Sequence, residues 1–287
     1  MDAQSITVPD GRTVAFDLAG PDGGPVVVLH HSAPGSRRFD PDPTATSAAG
    51  VRLVTIDRAG YGRSDPLPAG TVPTIPSAAA DAAAVLDHLE ITSGVVAGWS
   101  AGGRVAAALA AARPDLVAAL FLIGTPAPHE DVPWIPAEHE PAIEAMRADP
   151  AHAVELMAGA LAAAPAPPDE DGTAALAAGP TDVALLEGDV DLRERVAAML
   201  AEGRRSGPIG VAADIVSYTV AKWGFDPASI GAATTCVYGS ADLLVPPEHG
   251  EWWTARIPGA ELAVVEGAGH LVVVPAWPQV LAAARPA

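Results

Sequence analysis

An α/β protein with a mostly parallel sheet is what this chain of 287 residues predicts, on three observations. Its apolar runs at residues 26–30, 51–57, 94–99 and 117–124 are hydrophobic throughout instead of alternating, as strands covered on both faces are. Helical patterns at residues 77–89 and 101–112 lie between them, and strand–helix alternation implies parallel crossovers. Apolar residues make up 49% and charged residues 18%, so the chain has the means to bury a core.

The elements follow in order. Ile6 to Val8 and Thr13 to Asp17 flank Pro9-Asp10-Gly11, which reads as two antiparallel strands around a turn. The buried strands and their helices come next. From about residue 126 to 228 the pattern changes to helix-like segments near 138–148, 151–163, 191–204 and 210–222 without a clear strand, which reads as a helical insertion. The Pro-rich stretch 164–171 inside it is an exposed loop, with a linker between independent domains as the alternative. The strand–helix rhythm resumes with strands at 234–238 and 261–265 and helices near 248–255 and 276–284. The expected division is therefore a core domain of residues 1–125 and 229–287, with residues 126–228 inserted.

Sixteen Lys and Arg against 35 Asp and Glu give a net charge of −19, which argues against nucleic acid or an anionic lipid surface as partner. The single cysteine, Cys236, lies in an apolar run and reads as a buried, inert thiol. The first residues carry no basic start followed by an apolar stretch, and no apolar run approaches the ~20 residues of a membrane span. The expectation is a cytoplasmic monomer or homodimer, acting on a small molecule without metal or cofactor.

Gly98-Trp99-Ser100-Ala101-Gly102-Gly103 sits between an apolar strand and a helix, the context in which a G-x-S-x-G turn presents a nucleophilic serine. The bland alternative is a glycine-rich turn with a capping serine. A serine hydroxyl needs a base, and the base needs an acid that fixes its tautomer. Of eight histidines, His270 lies in a loop after a late strand; His88, His139, His152 and His249 fall in helical patterns and read as surface residues, and His129 lies in a loop. Asp242 follows the strand at 234–238 and completes the order Ser, Asp, His, a turn-capping aspartate being the alternative.

These residues together resemble the α/β-hydrolase family. His31-Ser32-Ala33-Pro34-Gly35-Ser36-Arg37 is similar to its oxyanion loop, and Asp57-Arg58-Ala59-Gly60-Tyr61-Gly62-Arg63-Ser64-Asp65 to its D-R-P-G-x-G-x-S-D segment. The resemblance implies the α/β-hydrolase fold: an eight-stranded, mostly parallel sheet with helices on both faces and an inserted helical cap. It implies Ser100, Asp242 and His270 as catalytic residues, and Ala33 and Ala101 as backbone donors to an oxyanion. It further implies a small, apolar ester, lactone or related acyl substrate beneath the cap, with His31, Ser32, Trp134, Met157 and Trp223 as candidate contacts. A ligand-binding protein without turnover, or a carbon–carbon hydrolase, perhydrolase or lyase in the same pocket, are the alternatives. Ser32 stands where the family has glycine, and Ala59 where it has proline.

Overall fold

The computed structural model describes residues 4–164, 171–177 and 179–285. The chain runs through β1 (Gln4–Thr7), β2 (Thr13–Ala19), β3 (Val26–His30), α1 (Pro43–Ala49), β4 (Arg52–Ile56), α2 (Ile75–His88), β5 (Gly94–Trp99), α3 (Ala101–Ala112) and β6 (Val117–Ile123). Then come α4 (Glu140–Ala148), α5 (Ala153–Ala163), α6 (Pro180–Gly188), α7 (Val190–Gly203) and α8 (Ile209–Thr219). Last are β7 (Ala233–Gly239), α9 (Glu248–Thr254), β8 (Glu261–Val265) and α10 (Val273–Ala283).

The eight strands form one sheet in the order β1-β2-β4-β3-β5-β6-β7-β8, in which β2 runs antiparallel to both its neighbours, β1 and β4, and every other pairing is parallel. All six residues of β5 are buried, as its unbroken apolar run requires for a strand covered on both faces. One face packs on α2, α3 and α9 through residues such as Leu86, Leu109 and Trp253. The other packs on α10 and α7 through Trp277, Leu281, Val196 and Leu200. The Trp277 indole donates to Thr46 Oγ1 at 2.8 Å, which ties α10 to α1.

Between β6 and β7 the described residues contain helices and no strand, and these helices pack on one another and over the carboxyl ends of the central strands. Most of the Pro-rich stretch expected as a loop, residues 165–170, lies outside the described residues.

Two helices escaped the sequence reading. α1 carries its own signals: Asp42 accepts from Ala45 N, Pro43 opens the helix, and Gly50 closes it in the left-handed conformation. α6 begins at Pro180, and Gly179 before it supplies no side-chain cap. α10 begins at Val273 and not near 276, because the short 3-10 turn His270–Val272 feeds straight into it. Cys236 is buried as expected, and burial pushes its thiol up to about 12.

Candidate active site

Ser100 occupies the turn between β5 and α3 with φ 54° and ψ −124°, a conformation that costs energy for any residue with a Cβ and here aims the hydroxyl out of the sheet. The turn is possible because its glycines lie against neighbouring atoms where a Cβ has no room. A Cβ on Gly98 would strike Gly103, one on Gly102 would strike the carbonyls of His30 and His31, and one on Gly103 would strike Thr125. The pattern is thus a packing requirement, and it brings the loop after β3 against the start of α3.

Three residues from distant parts of the chain meet there. Ser100 Oγ lies 3.0 Å from His270 Nε2, and His270 Nδ1 lies 2.8 Å from Asp242 Oδ2. The carboxylate can only accept, so Nδ1 carries the imidazole proton and Nε2 is free to take the serine's. Asp242 Oδ1 also accepts from Leu244 N and Val245 N, at 2.8 and 2.9 Å, so both of its oxygens are engaged. All three side chains are buried: Ser100 is 8% exposed, Asp242 4% and His270 2%.

The imidazole is held from two sides that sequence reading missed. The Trp99 indole donates to His270 O at 2.9 Å. Asp182, in the first turn of α6, accepts from His270 N at 3.0 Å and Leu271 N at 2.8 Å, one bond to each carboxylate oxygen. A residue of the helices between β6 and β7 therefore caps the 3-10 turn that carries the histidine. Gly269 is needed there because a Cβ would strike the Asp182 carboxylate.

The loop expected to hold the oxyanion is built around Arg58. Its Nη1 donates to His31 O at 2.6 Å and its Nη2 to Ser32 O at 2.9 Å, while Asp214 of α8 accepts from Nη2 at 2.6 Å. The Tyr61 hydroxyl donates to the same Asp214 oxygen at 2.7 Å. Burial and the cationic Arg58 keep His31 neutral; its Nδ1 donates to Ser32 O at 2.6 Å and its Nε2 faces Arg58 N. The Ser32 hydroxyl donates to Pro34 O at 2.7 Å, so it is turned into the loop. Ala33 follows, half-buried, and Ala101 heads α3, where backbone N–H groups lack partners within the helix.

The remaining expected contacts separate. Trp134 and Trp223 meet around Arg104, the guanidinium lying 5.2 Å and 5.1 Å from their ring centres. Met157 packs elsewhere, against Ile143, Met146, Ala153 and Val216 of α4, α5 and α8. His249 is not a surface residue, as was expected; it is 1% exposed, because it shares the inner face of α9 with Trp253 four residues on, and its Nδ1 accepts from Ala127 N at 3.0 Å. Among the described residues no cluster of three or more His, Cys, Asp or Glu side chains is placed to hold a metal ion, and no helix is long and apolar enough to cross a membrane.

A family profile described as alpha/beta hydrolase fold matches residues 25–275. The chain belongs to this family. It is similar to the non-heme chloroperoxidase of Streptomyces lividans, at 34% identity over 126 residues, covering 43% of this chain and 45% of that protein. It is also similar to the 2-hydroxy-6-oxononadienedioate/2-hydroxy-6-oxononatrienedioate hydrolase of Cupriavidus pinatubonensis, at 35% identity over 126 residues, covering 42% and 43%. The chain thus matches less than half the length of these curated relatives. Among solved structures, a hydrolase from Pseudomonas aeruginosa PA01 superimposes with a TM-score of 0.72 at 24% identity, over 100% of this chain and 99% of that one, which shows the shared fold.

Proposed function

We propose that this α/β hydrolase is a serine hydrolase that cleaves a small ester, lactone or related acyl substrate through an acyl-enzyme on Ser100. The observation that carries the reading is the unbroken hydrogen-bonded line from Ser100 Oγ through the imidazole to Asp242. Ser100 Oγ attacks the carbonyl carbon while its proton passes to His270 Nε2, and the Asp242 carboxylate stabilises the imidazolium that forms. The tetrahedral oxyanion accepts from the N–H groups of Ala33 and Ala101, each worth about 3–4 kcal/mol in a water-excluded site. Its collapse breaks the bond to the leaving oxygen, which takes the proton back from His270. Water then attacks the acyl-enzyme with His270 again as base, and Ser100 leaves carrying the proton.

The test is labelling by a fluorophosphonate together with hydrolysis of p-nitrophenyl acetate, for the wild type and Ser100→Ala. Labelling of the wild type alone, with hydrolysis reduced at least about 10³-fold in the variant, is the expected result. Absence of Ser100-dependent labelling and turnover would leave a ligand-binding protein on the same fold as the better reading.

A further inference from the structure

Four arginines are less than a tenth exposed: Arg12, Arg37, Arg58 and Arg104. The first three are paired with carboxylates, Arg12 with Asp81, Arg37 with Asp57, Asp17 and Glu202, and Arg58 with Asp214. Arg104, at 1% exposure the most buried of them, makes no ion pair among the described residues, in a chain with 35 acidic residues. Its Nε donates to Pro126 O and its Nη2 to Ala127 O, at 3.0 and 3.2 Å. Its Nη1 is buried and has no partner. A buried cation left with an unused donor is expensive, so a native structure that keeps one calls for an explanation.

The surroundings repeat the same deficit. The guanidinium lies 4.2 Å from the centre of the Tyr218 ring, and Trp134 and Trp223 lie beyond it. Both indole Nε1 groups, like Arg104 Nη1, are buried donors without an acceptor. Both indole side chains are only half-buried, so the cluster reaches solvent at its rim. Burial pushes the Arg104 guanidinium down to about 10, outweighing the opposite pull of Tyr218 and of the Asp214 and Glu130 carboxylates, none of which forms an ion pair with it. The cluster also borders the nucleophile. Arg104 is one helical turn, about 5.4 Å of rise, after Ser100, and Tyr218, which stacks on it, donates its hydroxyl to Ala101 O at 3.0 Å.

We propose that Arg104, Trp134 and Trp223 form a carboxylate-binding site. Arg104 Nη1 and the two indole N–H groups donate to one carboxylate at the far end of the substrate's acyl chain. This deepens the Ser100 reading, on which its kinetic arm rests: the preferred substrate is a half-ester, or a lactone-derived equivalent, with a few apolar carbons between the scissile carbonyl and the anion. Only a few donors and one guanidinium are on offer, which suits a monoanionic carboxylate and leaves a phosphate dianion underneutralised.

Two measurements test it. The first is calorimetric titration of Ser100→Ala with glutarate, glutaramide and inorganic phosphate, which needs no turnover. Binding of glutarate alone, lost in Ser100→Ala/Arg104→Gln, is expected. No glutarate binding, or equal binding of phosphate, overturns the site. The second compares kcat/KM for mono-p-nitrophenyl glutarate with that for p-nitrophenyl valerate, its neutral counterpart. The ratio is expected to exceed ten in the wild type and to fall at least tenfold in Arg104→Gln, chiefly through KM. Arg104→Lys should regain part of the loss, and Trp223→Phe should lower the ratio a few-fold. A ratio unchanged by Arg104→Gln, with a lowered melting temperature, would assign Arg104 to holding the inserted helices on α3 and overturn the proposal. If no ester is hydrolysed and no fluorophosphonate reacts, the Ser100 reading fails, and glutarate binding still decides the site.

Discussion

At the scale of single residues, the least expected participant is Asp182, because no motif around it marks it and its partners lie 88 and 89 positions away in sequence. Its carboxylate accepts two backbone N–H groups at the start of the turn bearing His270, where negative charge is favoured. Asp182→Asn keeps one acceptor and turns the other into a donor facing an N–H. The imidazole should then sample more orientations, and kcat on p-nitrophenyl acetate should fall about tenfold, a cost near 1.4 kcal/mol, with KM nearly unchanged. Steady-state kinetics decides: a change confined to KM would place Asp182 among substrate contacts, and no change would make the bonds irrelevant to turnover. Ser100, His270 and Asp242 differ from Asp182 in legibility, because each sits just past an apolar strand and their order along the chain is itself informative. Arg104 had only its spacing from Ser100 as a signal, in a helix otherwise rich in alanine; what makes it notable is the missing counter-ion, which only packing reveals.

At the scale of elements, the turn from β5 to α3 is fixed by sterics more than by hydrogen bonds. Gly103→Ala would press a Cβ into Thr125 and should destabilise the protein by about 3 kcal/mol, whereas Gly159→Ala in α5, where nothing lies within 4 Å, should stabilise it by about 0.5–1 kcal/mol. Urea unfolding of the two variants beside the wild type is the check; equal midpoints would refute the packing account. β5, α3 and β8 match the expected spans because their apolar periodicity is uninterrupted. Pro-led helices were harder to read: α1 and α6 both open on proline, a residue that reads as loop unless the free N–H groups of a first turn are considered. His249 was misplaced for a related reason. A polar residue in a helix reads as exposed until the neighbouring elements supply a donor, here Ala127 N, for its ring.

At the scale of the whole molecule, buried neutral histidines tie stability to pH. Burial, helped by Arg58, pushes His30 down to about 3, and burial with Arg104 pushes His249 down to about 4, against an ordinary value of 6.5. As pH falls below about 6.5 the unfolded chain takes up protons that the folded one refuses, so stability declines from there until the folded-state values are reached. Asn at position 249 offers an oxygen to Ala127 N without titrating. His249→Asn should therefore lose about 1–2 kcal/mol less than the wild type between pH 7 and 4.5, as read from urea midpoints at each pH; parallel curves would contradict the assignment. The helices between β6 and β7 contribute to the same whole, since Asp214 and Asp182 reach from them to Arg58, which holds the loop after β3, and to the His270 turn. The proposed reaction rests on covalent chemistry at one hydroxyl. Rapid quenching of the protein with p-nitrophenyl butyrate, followed by mass spectrometry of its peptides, should find one butyryl group on Ser100, gained more slowly when His270 is replaced by Gln. An ester hydrolysed at full rate with no acyl group on Ser100, or with the group on another residue, would contradict it.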